Sequence, residues 1–204
     1  MKTCAIVLNY DFTRKITERD EDIICADGGY NRAKKNGYNP KVVVGDLDSA
    51  KDISEGVEVI KFSKKKDKTD GELAVIYAIN KGYRKINIYG ASGGRTDHVL
   101  YNLRLVAIAV KMGVRCTIKG DDFDAYYANS VFRLETKVGD VISLVPYSEK
   151  VHIMNTEGLE YEINDVEYDM FNTVCVSNVA TAENVVISID RGDALIFRVF
   201  QKEA

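Results

Sequence analysis

Residues 85–113 read KINIYGASGGRTDHVLYNLRLVAIAVKMG, and this stretch decides the fold class. It opens on a five-residue apolar run, 85–89, of strand length. A glycine-rich loop follows, Gly90-Ala91-Ser92-Gly93-Gly94, and then a helical pattern from about Asp97 to Met112. Val99, Leu103, Val106 and Val110 make one stripe of that helix. Leu100, Ala107 and Ile108 widen it, so the helix is expected to be well buried, with Gly113 as its stop. A strand feeding a helix through a tight glycine loop is half of a βαβ unit.

Working outward, the same alternation fills the first half of the chain. Short apolar runs at 3–8, 23–26, 41–44, 57–62 and 115–118 join that at 85–89. Their continuous apolar character predicts strands covered on both faces, as in a parallel sheet. Thr69, with Glu72 three residues on, forms a capping box, and Leu73, Ile76, Tyr77 and Asn80 then share one helical face up to Gly82. The expectation is an α/β N-terminal domain over 1–120, with a mostly parallel sheet and flanking helices. After Gly120 the texture changes to short β-branched runs at 131–134, 141–145, 151–154, 174–177, 185–189 and 194–200. Regular spacing of that kind predicts a C-terminal all-β domain, sandwich- or barrel-like, over 121–204. The Gly- and Asp-rich stretch 120–124 is the expected boundary.

Composition narrows the function classes. Apolar residues make 46% and charged residues 29% of the 204, and the net charge is -3. No global basic field exists to recruit nucleic acid or an anionic membrane. The apolar run from Cys4 to Leu8 is stopped by Asn9, Tyr10 and Asp11, too short for a signal-peptide core or a membrane span. Cys4, Cys25, Cys116 and Cys175 stand far apart without a CxxC pair. A reduced, cytoplasmic protein is the expectation.

Four polar clusters fall where the expected strands end. They are Asp27-Gly28-Gly29, Gly45-Asp46-Leu47-Asp48-Ser49, Asp67-Lys68-Thr69-Asp70, and the loop running from Gly90 through Gly93-Gly94-Arg95-Thr96-Asp97-His98. Each alone has an ordinary explanation: Asp-Gly-Gly is a common turn, a DxD arises by chance, and aspartates favour a helix start. The run Lys64-Lys65-Lys66 reads as a solvated face, and His152 inside a strand-like run as structural. In open parallel sheets, however, ligands bind outside the carboxyl ends of the strands, which draws all four clusters to one crevice. Magnesium takes carboxylate, water and phosphate oxygens. Asp46 and Asp48, on one side of an extended segment, can supply the carboxylate pair, with Asp70 as a third contact. Glycines 90–94 let backbone N–H groups approach phosphates, and Arg95 adds a planar fork for a phosphate oxygen. His98 reads either as a phosphate or ribose contact or as a cap. That set neutralises and aligns a polyphosphate, the main need of phosphoryl transfer. Neither GxxxxGK[ST] nor a GxGxxG after the first strand occurs.

These clusters, in this order and spacing, resemble the thiamine pyrophosphokinase family. The likeness continues through Gly158-Leu159-Glu160-Tyr161 and Ser177-Asn178. It implies a nucleotide-binding α/β domain, a β-rich domain that helps hold thiamine, and a homodimer whose interface completes the site. It also implies a magnesium-dependent reaction that moves the pyrophosphoryl group of ATP to the thiamine hydroxyl, giving thiamine diphosphate and AMP. By this resemblance Asp46, Asp48 and Asp70 handle magnesium and the reacting hydroxyl. Asp27, Gly28, Asp67, Thr69, Gly93, Gly94, Arg95, Thr96, Asp97 and His98 line the ATP region, and Tyr161, Ser177 and Asn178 hold the vitamin.

Two departures bear on this reading. Leu47 stands where family members often carry phenylalanine, and Tyr161 where a tryptophan is common; the chain has no tryptophan at all. Tyr161 still offers a π face to a cationic thiazolium. The rival readings are a pyrophosphokinase acting on a hydroxymethyl pterin, a nucleotide-sugar transferase using Asp46-Leu47-Asp48, and a non-catalytic nucleotide sensor. The β-rich second domain favours thiamine over a pterin. A sugar transferase leaves the clusters at 67–70 and 90–98 unexplained, and a sensor would show degenerate carboxylates.

Overall fold

A computed structural model describes residues 1–17 and 22–200. The chain divides into two compact units, Met1–Asp121 and Asp122–Ala204.

The first unit is built on six parallel strands. They are β1 (Thr3–Val7), β2 (Asp22–Ala26), β3 (Val42–Gly45), β4 (Glu58–Lys61), β5 (Lys85–Tyr89) and β6 (Arg115–Lys119). Their order across the sheet is β6-β5-β1-β2-β3-β4. The chain winds outward from β1 to β4, then returns to β5 on the other side of β1. That reversal creates a switch point between β1 and β5, where the connections from neighbouring strands diverge and leave a crevice.

Among the described residues three helices cross the unit: α1 (Gly29–Lys35), α2 (Asp70–Asn80) and α3 (Thr96–Lys111). Both faces of the sheet are covered, as its apolar strands require. Ala5, Val7, Cys25 and Val43 pack with Tyr30 and Ala33 of α1. Alternation along the strands sends Cys4, Ile6 and Ile24, all fully buried, to the opposite face. Each fully buried isoleucine contributes about 1.5–3 kcal/mol, which makes this sheet a stiff platform for the loops at its carboxyl edge.

The helices correct two details of the sequence reading. The buried face of α2 consists of Gly71, Ala74, Val75 and Ala78 with Leu73, not the predicted stripe through Ile76 and Asn80. Gly71 lies within reach of the Leu8 and Leu105 side chains, so small residues set this close face. In α3 only the C-terminal half is buried, at Leu105, Val106, Ala107 and Ala109. Leu100 is 62% exposed and Tyr101 57%, because the first turns of α3 stand at the open rim above β5. Among the described residues no helix is long and apolar enough to cross a membrane.

The second unit is all β. One antiparallel sheet has the order β12-β9-β14-β7, from β7 (Phe123–Ala128), β9 (Val141–Pro146), β12 (Asn178–Val179) and β14 (Ala194–Val199). The other has the order β11-β10-β13-β8, from β8 (Val131–Glu135), β10 (Lys150–Glu157), β11 (Asn164–Asp169) and β13 (Asn184–Arg191). Inward residues of both sheets, among them Ile142, Leu144, Ile196, Val151, Ile153 and Ile187, share one core. This is a sandwich. The predicted strand at 174–177 is a turn, closed by a Val176 N–H to Thr173 carbonyl bond, while Cys175 is buried as a core plug. Conversely β11 was not legible as a strand, because only Val166 and Tyr168 face inward from its polar sequence.

Candidate active site

The loops that follow β1 to β5 line one cleft of about 720 Å³ in the first unit. Asn9 and Tyr10 come from β1, Asp27 from β2, and Asp46, Asp48 and Ser49 from β3. Lys64, Lys66, Thr69 and Asp70 follow β4, and Arg95, Asp97 and His98 follow β5. Every contributor therefore sits at the carboxyl end of a parallel strand, and the helix starts of α2 and α3 open onto the same space.

Asp27 organises the carboxylates. It is buried and holds a left-handed φ of 44. Its Oδ1 accepts the backbone N–H groups of Ser49 and Ala50, each at 3.2 Å. This pins the loop after β3 against the end of β2. One oxygen each of Asp27, Asp46 and Asp48 then falls within 4.8 Å of the others. Leu47 does not continue the extended segment expected from the sequence; its φ is 64. The carboxylates of Asp46 and Asp48 converge through that left-handed turn, with the Asp48 N–H donating to Asp46 Oδ1 at 3.4 Å. The Leu47 side chain packs on the core around α1, which holds the turn in place.

Gly45 makes the fourth carboxylate possible. Its φ is 152, and a Cβ there would come within 2.9 Å of Asp70 Oδ1 and 3.0 Å of the Asp27 Cβ. Asp70 itself is placed by the start of α2, where the Thr69 hydroxyl accepts the Glu72 N–H at 3.2 Å as the capping box requires. Burial raises the Asp70 carboxyl above its ordinary range, partly opposed by the Lys66 ammonium.

The lysines at 64–66 are not a uniform solvated face. Lys64 pairs with Asp48 at 3.0 Å and holds that carboxyl below its usual range, helped by the Ser49 hydroxyl. Lys66, with 16% of its side chain exposed, stands between Asp70 Oδ1 at 2.7 Å and Asp46 Oδ2 at 3.5 Å. Burial opposes its charge, but Asp70 and Asp46 outweigh that and raise it. Lys65 remains exposed. The signal that could have found Lys66 is its spacing of four from Asp70, immediately before a helix start.

The loop after β5 carries the Arg95 guanidinium. Tyr10 lies directly over Gly94, where any Cβ would fall 1.8 Å from a ring carbon. Only glycine permits this stacking of the β1 loop on the β5 loop. Arg95 caps no N–H of α3; its guanidinium forks onto Asp97, at 2.6 Å and 3.2 Å, and holds that carboxyl low. His98 lines the cleft beside them, and Asn102 donates to the Ala91 carbonyl at 2.9 Å, fixing the loop base. Of the remaining predicted residues, Gly28 approaches Asn9 too closely for a side chain. Asp67, Gly93, Gly94 and Thr96 are exposed around the cleft loops without lining it.

In the second unit Tyr161, Ser177 and Asn178 lie together. Asn178 is buried, and its amide grips the Tyr161 backbone in both directions, accepting the N–H at 3.0 Å and donating to the carbonyl at 2.6 Å. The Tyr161 side chain is 68% exposed, and Ser177 has a left-handed φ of 59. Asn178 thus positions the tyrosine, and its own polar groups face the backbone.

Comparison with known proteins gives a consistent result over both units. The model of the thiamin pyrophosphokinase catalytic domain matches residues 13–118, and that of the thiamin pyrophosphokinase vitamin B1 binding domain matches residues 130–192. Thiamine pyrophosphokinase of Bacillus subtilis is 27% identical over 139 residues, spanning 67% of this chain and 65% of that protein. Thiamine pyrophosphokinase 1 of Arabidopsis thaliana is 26% identical over 220 residues, spanning 91% of this chain and 82% of that protein. The solved structure of the Bacillus subtilis enzyme aligns with a TM-score of 0.84 and 25% identity, over 98% of this chain and 100% of that one. That of Candida albicans thiamin pyrophosphokinase has a TM-score of 0.84 and 17% identity, over 98% and 90% of the two chains.

Proposed function

The chain belongs to the thiamine pyrophosphokinase family, and from that premise we propose that it transfers the pyrophosphoryl group of ATP to the hydroxyl of thiamine, leaving AMP. The observation that carries the reading is the convergence of Asp27, Asp46 and Asp48 within 4.8 Å, in a cleft that also holds Arg95 and His98.

The donor set fits magnesium. Asp27, Asp46, Asp48 and Asp70 are hard oxygen donors that meet from separate loops, as an ion bound with phosphate requires. Asp46 and Asp48 would hold it, with Asp27 and Asp70 beside them. When bound, the ion supplies charge neutralisation and a template for the phosphate oxygens. The protein groups do the remainder. Arg95 exchanges its fork from Asp97 to a phosphate oxygen, a bidentate geometry lysine cannot reproduce. Gly93, with nothing within 4 Å of where a Cβ would stand, leaves the loop backbone open beside the cleft. Burial makes Asp70 a better proton acceptor than Asp48, which suits it to the hydroxyl that attacks. Tyr161, steadied by Asn178, offers its ring to the thiazolium. The reading also takes the protein as a cytoplasmic homodimer; four free, buried cysteines are in keeping with a reducing compartment.

The test is incubation of the intact protein with MgATP and thiamine, scored for nucleotide product. AMP with thiamine diphosphate is the expected result. ADP, or AMP formed only with a hydroxymethyl pterin as acceptor, rejects the proposal.

A further inference from the structure

Lys66 was read from the sequence as part of a solvated face, yet it lines the cleft. It lies between β4 and α2, with its Nζ buried, 2.7 Å from Asp70 Oδ1 and 3.5 Å from Asp46 Oδ2. The Nζ–Asp70 Oδ1 pair is close, but its angles are those of an ion pair and not of a well-aligned hydrogen bond. The amine therefore neutralises its two carboxylates chiefly through proximity. An ammonium is a compact point charge on a flexible four-carbon stem, so it can leave one anion for another without disturbing the backbone.

The charge balance agrees. Arg95 is paired with Asp97 and Lys68 with Glu72; of the remaining cleft charges, Asp27, Asp46, Asp48 and Asp70 supply four negative and Lys64 and Lys66 two positive. The excess equals the charge of one divalent ion. Lys66 also bridges two elements, since it faces Asp46 of the loop after β3 and Asp70 at the start of α2.

We infer that Lys66 is a displaceable internal cation: it holds Asp46 and Asp70 in the nucleotide-free enzyme and is released to a phosphate oxygen when a divalent ion at Asp46 takes over that neutralisation. The inference rests on the magnesium reading above. It gives Lys66 two opposite effects. Beside the carboxylates its charge opposes metal binding. Released into the cleft, the same charge favours the polyphosphate. A lysine that only stiffens the loop produces neither pair of signs.

The test uses the full chain in two titrations, neither containing thiamine. Mn2+ affinity of the nucleotide-free protein is followed by electron paramagnetic resonance for wild type and Lys66→Met. Affinity for a non-hydrolysable ATP analogue with Mg2+ is followed by calorimetry. The variant is expected to bind Mn2+ about tenfold more tightly, the low end of what one unit charge contributes at this distance, and the nucleotide about tenfold more weakly. Lys66→Gln, which keeps a donor towards Asp70, replaces it if the methionine variant does not fold. Mn2+ affinity unchanged or weakened in a folded variant overturns the inference, and so does a wild type that binds no Mn2+. Failure of the reaction with thiamine would reject the activity separately, because neither titration involves the acceptor or turnover.

Discussion

At φ 64 Leu47 holds a left-handed backbone between two carboxylates, a conformation that costs a non-glycine residue about 1–3 kcal/mol. The core around α1 absorbs that cost by packing the leucine side chain. The same logic appears at Asp27, whose left-handed turn aims one oxygen at the Ser49 and Ala50 N–H groups. Strain here is a positioning device. Gly45 shows how little room the arrangement leaves. Gly45→Ala places a methyl against Asp70 Oδ1 and the Asp27 Cβ in a backbone region that alanine avoids. It is expected to lower stability by about 1–3 kcal/mol and to reduce AMP formation about 100-fold, the effect of a displacement near 1 Å at a reacting centre. Denaturant titration beside the turnover assay checks both, and near-wild-type turnover would show that Asp70 and Asp27 need not stand where they do.

Strands and helices differ in what they demand of their sequences. The β strands of the first unit needed only apolar runs, and the residues at their carboxyl ends were then free to be polar. In the sandwich, β10 is tied to its neighbours by a polar bridge. His152 Nδ1 meets Asp190 Oδ1 of β13 at 2.6 Å, and Nε2 meets Asp165 Oδ1 of β11 at 3.0 Å. Asp190 chiefly raises the imidazole above its ordinary value; burial opposes this, Asp165 adds to it, and Arg191 works against it. A raised folded-state value stabilises the fold below the unfolded value of about 6.5, and this stabilisation is lost as pH rises through the folded-state value. Wild type is therefore expected to lose urea resistance between pH 6 and pH 9 relative to His152→Gln. Parallel losses in the two proteins would show that the bridge carries no charge-dependent stability.

At the scale of the whole molecule, the family reading proposes two copies of the chain. The second unit exposes Met170, Phe171, Val174 and Val176 around the turn that leads to Ser177, an apolar surface unusual for a free monomer. Sedimentation equilibrium at micromolar concentration is expected to give twice the 22.8 kDa chain mass; a monomer mass throughout would reject the dimer. The βα alternation, the change of texture after Gly120 and the capping box at Thr69 were legible in the sequence because periodicity and local hydrogen bonding are properties of neighbours along the chain. So were the aspartate clusters, since a parallel sheet sends every strand end to one edge. Two kinds of feature were not legible. The burial of Leu105 but not Leu100 in α3 depends on where the helix stands over the sheet. The role of Lys66 depends on a loop after β4 folding back to a loop after β3. The sequence by itself thus determined that aspartates and a glycine-arginine loop follow the strand ends of the first unit. Only the tertiary structure decided that Asp27 joins Asp46 and Asp48, and that a lysine stands between Asp46 and Asp70. The physical reason is that charges separated along the chain act on one another only through distances that folding sets.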